Sequence, residues 1–600
     1  MVTQPTSSAL PSIECNRTLV RLEGDVGPFL PSLTCQAVHD DVFDVTLNLK
    51  SDAQAQLPDV VLAWALPFVD VHHKWNSECM QNRALDVGNF TANFVTGRAN
   101  RQAPVYSLYN LDSVNTCTFA LSDAVHDFRL GGAWDGKNIY QCKASVFGSR
   151  ISPTREYTLT LRFDLRRIPY CRTLQDAMRW WESMDPYTPC PIPDAARLPL
   201  LSSWYIYVMD LDRDDLERQC QLAKDFGIDV VILDDGWQTE QLEHGYQNNG
   251  DWEVSTKKFP DLAGYVKRIQ NLGMKFMVWF SVPFVGVDAK TYHTMRQYLL
   301  PGREGAQWFG LDPRLPQVRA YLADTYERFV TTYGVDGLKL DFIDSIGGRP
   351  QDESTRQPGH DTASIGEAVC WLLDDVVDRL RAISPEILVE FRQGYIGPAM
   401  RKYGNMLRAV DCPNSIGDNR VRTLDVRLLA GSTPVHSDPI TWHDDDPNES
   451  AAMQLIHVLF SVPQISRKLT DLTPGHHRML RSYLQFWREH RDLLLQGDLQ
   501  PLYPHLLYPL VIASTQAERL AAFYGPVPLV CESDLPERLI LVNGTYKKEV
   551  IVDAHAHLGT YSLCTVDCLG TVKNHEPVRM TRGLHQLAVP VAGHALLQRQ

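Results

Sequence analysis

Through the N-terminal third of the chain, apolar side chains fall on every second position. Phe43, Val45, Leu47 and Leu49 form one such run, and Leu159, Leu161, Phe163 and Leu165 form another. Successive side chains of a strand point to opposite faces, so each run offers one apolar face, and the pattern predicts an antiparallel β-sandwich. A short helix is expected around Trp180 and Trp181. Pro186, Pro189, Pro191, Pro193 and Pro199 follow, a density that prevents regular pairing and marks a domain boundary.

Beyond Pro199 the period changes. Leu216, Cys220, Ala223 and Phe226 line one helical face, Gly227 ends the helix, and residues 230–233 read as a buried strand. The unit recurs with Leu262, Val266, Ile269 and Leu272 before residues 275–280, and with Val318, Leu322, Thr325 and Phe329 before residues 338–342. Adding residues 203–208, 387–392, 407–411, 434–438 and 462–466 gives eight strand candidates with interposed helices. Such a series predicts a (β/α)8 TIM barrel, although an open doubly wound sheet has the same local pattern. After a helix carrying Leu480, Leu484 and Trp487, period two returns at 539–542, at an Asn543-Gly544 hairpin turn, at 550–552 and across 587–597. The expected architecture is an N-terminal β-sandwich (1–185), a catalytic barrel (186–498) and a small C-terminal β-sandwich (499–600).

Composition narrows the partners. A chain of 600 residues with 44 % hydrophobic and 22 % charged residues is ordinary globular material and too long for one core. The apolar-leaning stretch 450–466, free of Asp, Glu, Lys and Arg, carries a His, two Gln and three Ser and does not reach a membrane span. The formal charge of -14 repels a phosphate backbone, so neither nucleic acid nor an anionic membrane is an expected partner. Arg17 is the first basic residue and Glu14 interrupts the start, so no signal peptide is read and a cytoplasmic location is expected. Thirteen Cys without a CxxC pair read as reduced thiols, not as a disulfide framework or a zinc site.

A barrel gathers its chemistry at the C-terminal ends of its strands. Here those ends carry Asp234-Asp235-Gly236-Trp237, Trp279, Lys339-Leu340-Asp341, Glu390-Phe391-Arg392, Asp411 and His436-Ser437-Asp438. Unpaired buried charge is costly, so a polar ligand site is the economical explanation. Lys339 and Asp341 share one strand face, where an ammonium favours an ionised carboxylate nucleophile; the structural alternative is a buried ion pair. Asp411 stands among apolar neighbours, where desolvation and facing carboxylates are expected to raise its pKa and suit a general acid; the alternative is a helix N-cap. Trp204, Trp237, Trp252 and Trp279 could offer stacking faces for sugar rings, or simply pack a core. Paired carboxyls with aromatic surfaces point to glycoside cleavage.

The ordered motifs Asp234-Asp235-Gly236-Trp237, Gly250-Asp251-Trp252, Lys258-Phe259-Pro260, Gly273-Met274-Lys275, Leu311-Asp312-Pro313 and Lys339-Leu340-Asp341-Phe342 closely resemble retaining α-galactosidases of glycoside hydrolase family 36, in the melibiase clan. By that resemblance Asp341 is the nucleophile, and Asp234 and Asp235 hold the galactose O4 and O6 hydroxyls with Lys339 beside them. Trp279 is a ring platform. Asp411, on the sixth strand with Asn414 and Arg420 downstream, is the acid/base, and Asp438 is the reserve. Trp204 and Arg392 complete the expected substrate-binding set. The chain departs from the family at Leu340, where Trp is usual, at Ile343, where an Asn contacts sugar, and at Arg392, near a Cys facing C2. Arg392 could recognise a carboxylate or pair with Glu390.

The resemblance implies an oligosaccharide or glycoside substrate, no cofactor, no metal and a homo-oligomer. It also leaves room for α-N-acetylgalactosaminides, acidic sugars or transglycosylation. Two other classes compete: a metal-dependent hydrolase using His436, Asp438, His443 and Asp444-Asp445-Asp446, and a catalytically silent carbohydrate-binding protein.

Overall fold

The computed structural model describes residues 10–78, 82–88, 93–347, 357–392, 396–532 and 535–600. Two six-stranded antiparallel sheets form the N-terminal sandwich. Both alternating runs lie in one sheet: Val42–Ala55 pairs with Thr154–Asp164 so that Phe43 faces Phe163, Val45 faces Leu161 and Leu47 faces Leu159. The Phe43 and Phe163 rings stack at 4.9 Å, and Trp64 from the opposite sheet inserts edge-on against Phe163 at 4.9 Å and Phe119 at 4.8 Å. Period two thus becomes a shared core between the sheets. Cys15, in one sheet, is disulfide-bonded to Cys35, in the other, which corrects the expectation that all the thiols are reduced.

The central sheet has eight parallel strands: β1 (Leu200–Ser202), β2 (Val230–Leu233), β3 (Lys275–Ser281), β4 (Gly337–Asp341), β5 (Leu388–Arg392), β6 (Met406–Arg408), β7 (Val435–His436) and β8 (Gln464–Ile465). β8 pairs back onto β1, and bridges from His436 to Val462 and from Ile440 to Ile465 join β7 to β8, so the sheet closes into a barrel. The doubly wound alternative is excluded. Three helices between strands begin on side-chain caps: Asp212 accepts from Asp214 N and Asp215 N, Asp261 from Gly264 N, and Ser364 from Glu367 N.

Three local expectations are corrected. The first strand is Leu200–Ser202, and residues 204–207 form a short helix, because Ser203 already accepts the Asp234 N–H through its hydroxyl and so lies in the loop above the barrel. Among the described residues β5 and β6 are joined only by a 3-10 turn at Met400–Lys402, not by a full helix. Asn543-Gly544 is no hairpin turn. Arg538–Asn543 belongs to the seven-stranded C-terminal sheet and Glu549–Ala554 to the three-stranded sheet. The Asn543 amide donates to the carbonyls of Lys547, Val589 and Pro590, which fixes a crossing between sheets.

The regions meet around Asp425 on the barrel helix Ile416–Ala430. Trp75 Nε1 donates to its Oδ1 at 3.0 Å, Arg83 from the same N-terminal region pairs with its Oδ2, and Tyr508 from the C-terminal region donates to Oδ1. A buried carboxylate tied this way is costly to leave unpaired, so the contact fixes how the sandwiches seat on the barrel. No helix among the described residues is long and apolar enough to cross a membrane.

Candidate active site

All four residues of β2 are buried, and the chain leaves the strand as Asp234-Asp235-Gly236. Gly236 has φ +104°, and a side chain there would meet Met209 at 3.2 Å, so the turn needs glycine. Asp234 receives Lys339 Nζ on Oδ2 at 2.7 Å. Asp235 receives Gln238 Nε2 on Oδ1 at 2.7 Å, while its buried Oδ2 has no hydrogen-bond partner among the described residues. Burial raises the Asp235 carboxyl to about 7, with the Gln238 bond opposing and the Asp234 charge adding. A buried acceptor left open costs about 1–3 kcal/mol, which a donor hydroxyl would recover.

β4 brings Lys339 and Asp341 to one face, but the ammonium turns sideways to Asp234 on β2, making a pair about 4 % exposed on each side. Asp341 is held by three groups. Trp279 Nε1 donates to Oδ2 at 3.0 Å, Phe342 N donates to Oδ1 at 2.8 Å, and Arg392 Nε lies 2.8 Å from Oδ1. Phe342 adopts a left-handed backbone, φ 62°, which a bulky residue visits at about 1–2 kcal/mol. Its ring lies under the Arg392 guanidinium at 4.4 Å.

Arg392 faces two further carboxyls: Nη1 is 3.7 Å from Asp411 Oδ2 and Nη2 is 3.9 Å from Asp344 Oδ1. Its neighbour on the strand face, Glu390, receives Gln464 Nε2 at 2.5 Å and lies 3.7 Å from Arg408. Burial lifts Glu390 to about 7 against the Arg408 and Lys339 charges.

β6 ends at Arg408, so Asp411 lies three residues beyond the strand, in the rim loop, with its side chain 45 % exposed. It is not an N-cap; Ser415 holds that position before the helix. Arg408 Nη2 donates to Asp411 Oδ1 at 2.9 Å and Nη1 to Asp438 Oδ1 at 2.5 Å. The expected rise in the Asp411 pKa is corrected. Desolvation acts upward, but the charges of Arg408, Lys339 and Arg392 together hold this carboxyl well below the usual carboxylate range. Asp438 is fully buried, receives Cys412 N at 2.8 Å and Tyr205 OH at 3.1 Å, and is raised by burial to about 6.

Aromatic rings line one side. Trp279 is 2 % exposed with Tyr246 stacked at 6.4 Å, and Tyr246 touches Phe284, Trp308 and Phe342. Trp204 is half-buried beside His244 at 5.3 Å. Trp237 and Trp252 are core residues, the alternative raised for them.

Strand pairing and side-chain contacts thus bring Asp234, Lys339, Asp341, Trp279, Arg392 and Asp411 to one barrel end, with Asp235 beside Asp234. Arg420 lies elsewhere, donating to the Leu507 carbonyl. Sequence reasoning missed Arg408, Gln464, Tyr246 and Asp344. A charged residue inside the otherwise apolar run Met406-Leu407-Arg408-Ala409-Val410 was the available signal for the first. The residues of the metal alternative diverge: His436 Nε2 meets the Ala196 carbonyl at 2.9 Å and the His443 side chain is 75 % exposed. Among the described residues no three His, Cys, Asp or Glu side chains gather as metal ligands would.

The melibiase family model matches residues 192–421, which span β1 to β6 and every one of the carboxyls just described except Asp438. Over those residues the barrel is similar to the melibiase family. Among curated relatives, α-galactosidase AgaA of Geobacillus stearothermophilus is 27 % identical over 372 residues, covering 58 % of this chain and 49 % of its own length. α-Galactosidase 1 of Pediococcus pentosaceus is 26 % identical over 200 residues, covering 32 % of this chain and 26 % of its own. The chain therefore aligns with half or less of the length of these relatives. In fold, the crystal structure of the family 36 enzyme AgaA superposes with a TM-score of 0.67 at 16 % identity, over 99 % of this chain and 85 % of that one. A Thermus thermophilus α-galactosidase in complex with stachyose superposes with a TM-score of 0.54 at 17 % identity, over 80 % of this chain and 99 % of that one. The fold, a barrel between two β domains, is thus similar to that of the family 36 α-galactosidase AgaA.

Proposed function

We propose that this protein is a retaining α-galactosidase that hydrolyses terminal α-galactosides of oligosaccharides. One observation carries the reading most: Asp341 and Asp411 both face the same guanidinium, Arg392, at 2.8 and 3.7 Å, so two carboxyls flank one cation at the barrel mouth. Asp341 attacks the anomeric carbon; Asp411, which its cations hold ionised in the free protein, takes up a proton when bound glycoside covers its exposed side, passes it to the leaving oxygen and then activates water, with retained configuration. The open Oδ2 of Asp235 and the Asp234–Lys339 pair serve the sugar hydroxyls. The relatives' names and their complexes with raffinose and stachyose support the substrate class.

A neutral sugar is favoured over an acidic one. The single charge of Arg392 is already faced by Asp341, Asp411 and Asp344, so no positive excess is left to recruit a carboxylate. We further propose the domain limits 1–185, 186–498 and 499–600, a homo-oligomer and a cytoplasmic location; light scattering and cell fractionation test the last two. For the activity, Asp341→Ala should abolish turnover of an aryl α-galactoside, and NMR of fresh product should show the α-anomer first. Full activity in that variant, or a β-anomer, overturns the reading.

A further inference from the structure

Arg408 is fully buried, yet it is shared by three carboxyls from three strands' ends: Asp411 beyond β6 at 2.9 Å, Asp438 beyond β7 at 2.5 Å and Glu390 on β5 at 3.7 Å. Two of these, Glu390 and Asp438, are fully buried, and a counterion for them alone would make a purely structural pair. The third is different. Asp411 is 45 % exposed and faces the mouth. The chain turns through Ala409 and Val410 to bring it back over the guanidinium, and the next backbone N–H, that of Cys412, donates to the far oxygen of Asp438 at 2.8 Å. Arg422 adds a bond to the Asp411 carbonyl at 2.9 Å. Arg408, Asp411, Cys412 N and Asp438 therefore form a closed ring in which side chain and backbone of Asp411 are both pinned.

We propose that Arg408 is a positioning residue that fixes the acid/base Asp411 and sets its titration, with Asp438 as the anchor of the ring and not a proton donor to substrate. This rests on the α-galactosidase reading. The other groups that act on Asp411 are Arg392 of β5, Lys339 of β4 and Asp438 beyond β7. Asp411 in turn acts on Tyr205 and Tyr246, which follow β1 and β2, and Asp341 joins it across Arg392. Against that background the guanidinium at 2.9 Å is the nearest cation, and an opposite charge this close moves a carboxyl by about one to three pH units. The alkaline limb of kcat reports the general acid with substrate bound, the state in which Asp411 carries its proton.

The test is the pH profile of kcat on an aryl α-galactoside for wild type, Arg408→Gln, Arg408→Lys and Asp438→Asn. Loss of the cation should move the alkaline limb up by about one pH unit or more. Lysine should leave the limb in place with a lower kcat, since it keeps the charge but not the fork. Asp438→Asn should move the limb down, because Arg408 then answers one carboxylate fewer and a like charge is gone. Opposite shifts from the two sides of the ring are not expected of a merely structural pair. If Arg408→Gln does not fold, Asp438→Asn alone carries the sign. A uniform fall in rate with every limb unmoved overturns the proposal, as does an Asp438→Asn enzyme that has lost only its activity on poor leaving groups, the mark of a missing acid. A wild-type protein inert on every α-galactoside fails the functional reading instead, and this one with it.

Discussion

The indole N–H of Trp279 donates to Asp341 Oδ2 at 3.0 Å, and strand register makes the contact. Trp279 on β3 lies opposite Lys339 on β4, which leaves Asp341 one side-chain repeat further towards the mouth on the same face. The tryptophan therefore aims the proposed nucleophile from the floor of the site.

Trp279→Phe keeps the ring and removes the donor. Hydrogen bonds to charged groups contribute about 1.5–3 kcal/mol, so kcat should fall roughly 10- to 100-fold while KM changes little. Steady-state kinetics on an aryl α-galactoside would show it, and an unchanged kcat would remove Trp279 from this role.

Asp411→Asn should discriminate between leaving groups. Galactosides of acidic phenols depart without protonation, whereas a sugar leaving group needs the acid; general acid catalysis contributes about 100- to 10,000-fold. We expect the variant to lose raffinose turnover by that order, to keep far more of its first-step rate on a dinitrophenyl galactoside, and to recover with azide. Equal losses on both substrates would argue that Asp411 is not the acid/base.

The Lys339–Asp234 pair is buried on both sides, and breaking one partner of such a pair costs about 3–5 kcal/mol. Lys339→Met should therefore lower stability in urea by that order, and adding Asp234→Asn should restore part of it. A single variant as stable as wild type would mean that water reaches the pair.

Glu390, raised to about 7 from an ordinary value of 4.5, binds its proton more tightly folded than unfolded. Between about pH 4.5 and 7 the native state holds the extra proton, so this group's contribution to stability is greatest at low pH and is lost as pH rises. The shift corresponds to at most about 3 kcal/mol. Wild type should thus lose stability relative to Glu390→Gln from pH 5 to pH 8 in denaturant titrations. A constant difference would show that Glu390 titrates normally.

How much of this the sequence carried depends on the range of the interaction involved. Phe43 and Phe163 were legible because one-sided burial imposes period two along each strand, and Asp234 and Asp341 because strand ends of a barrel converge wherever the barrel closes. Ser203 was misplaced in a strand because its hydroxyl bonds a residue of the next strand's loop, a partner no local pattern names. Asn543-Gly544 carried a strong hairpin signal that the distant Val589 and Pro590 carbonyls, with that of Lys547, override by binding one amide. Asp411 was found but its titration was inverted, since the guanidinia that set it come from β5 and β6. Arg408, a lone cation in a three-residue strand, gave no hint of its three partners.

The left-handed backbone at Phe342 carries a further consequence for evolution and engineering. Glycine or asparagine would relax that residue, so selection for heat resistance alone would be drawn to replace it. The same exchange would strip the aromatic bed from beneath Arg392 and let the guanidinium drift from both carboxyls. Thermostable variants altered at this position should accordingly emerge sturdier and slower, trading posture for endurance.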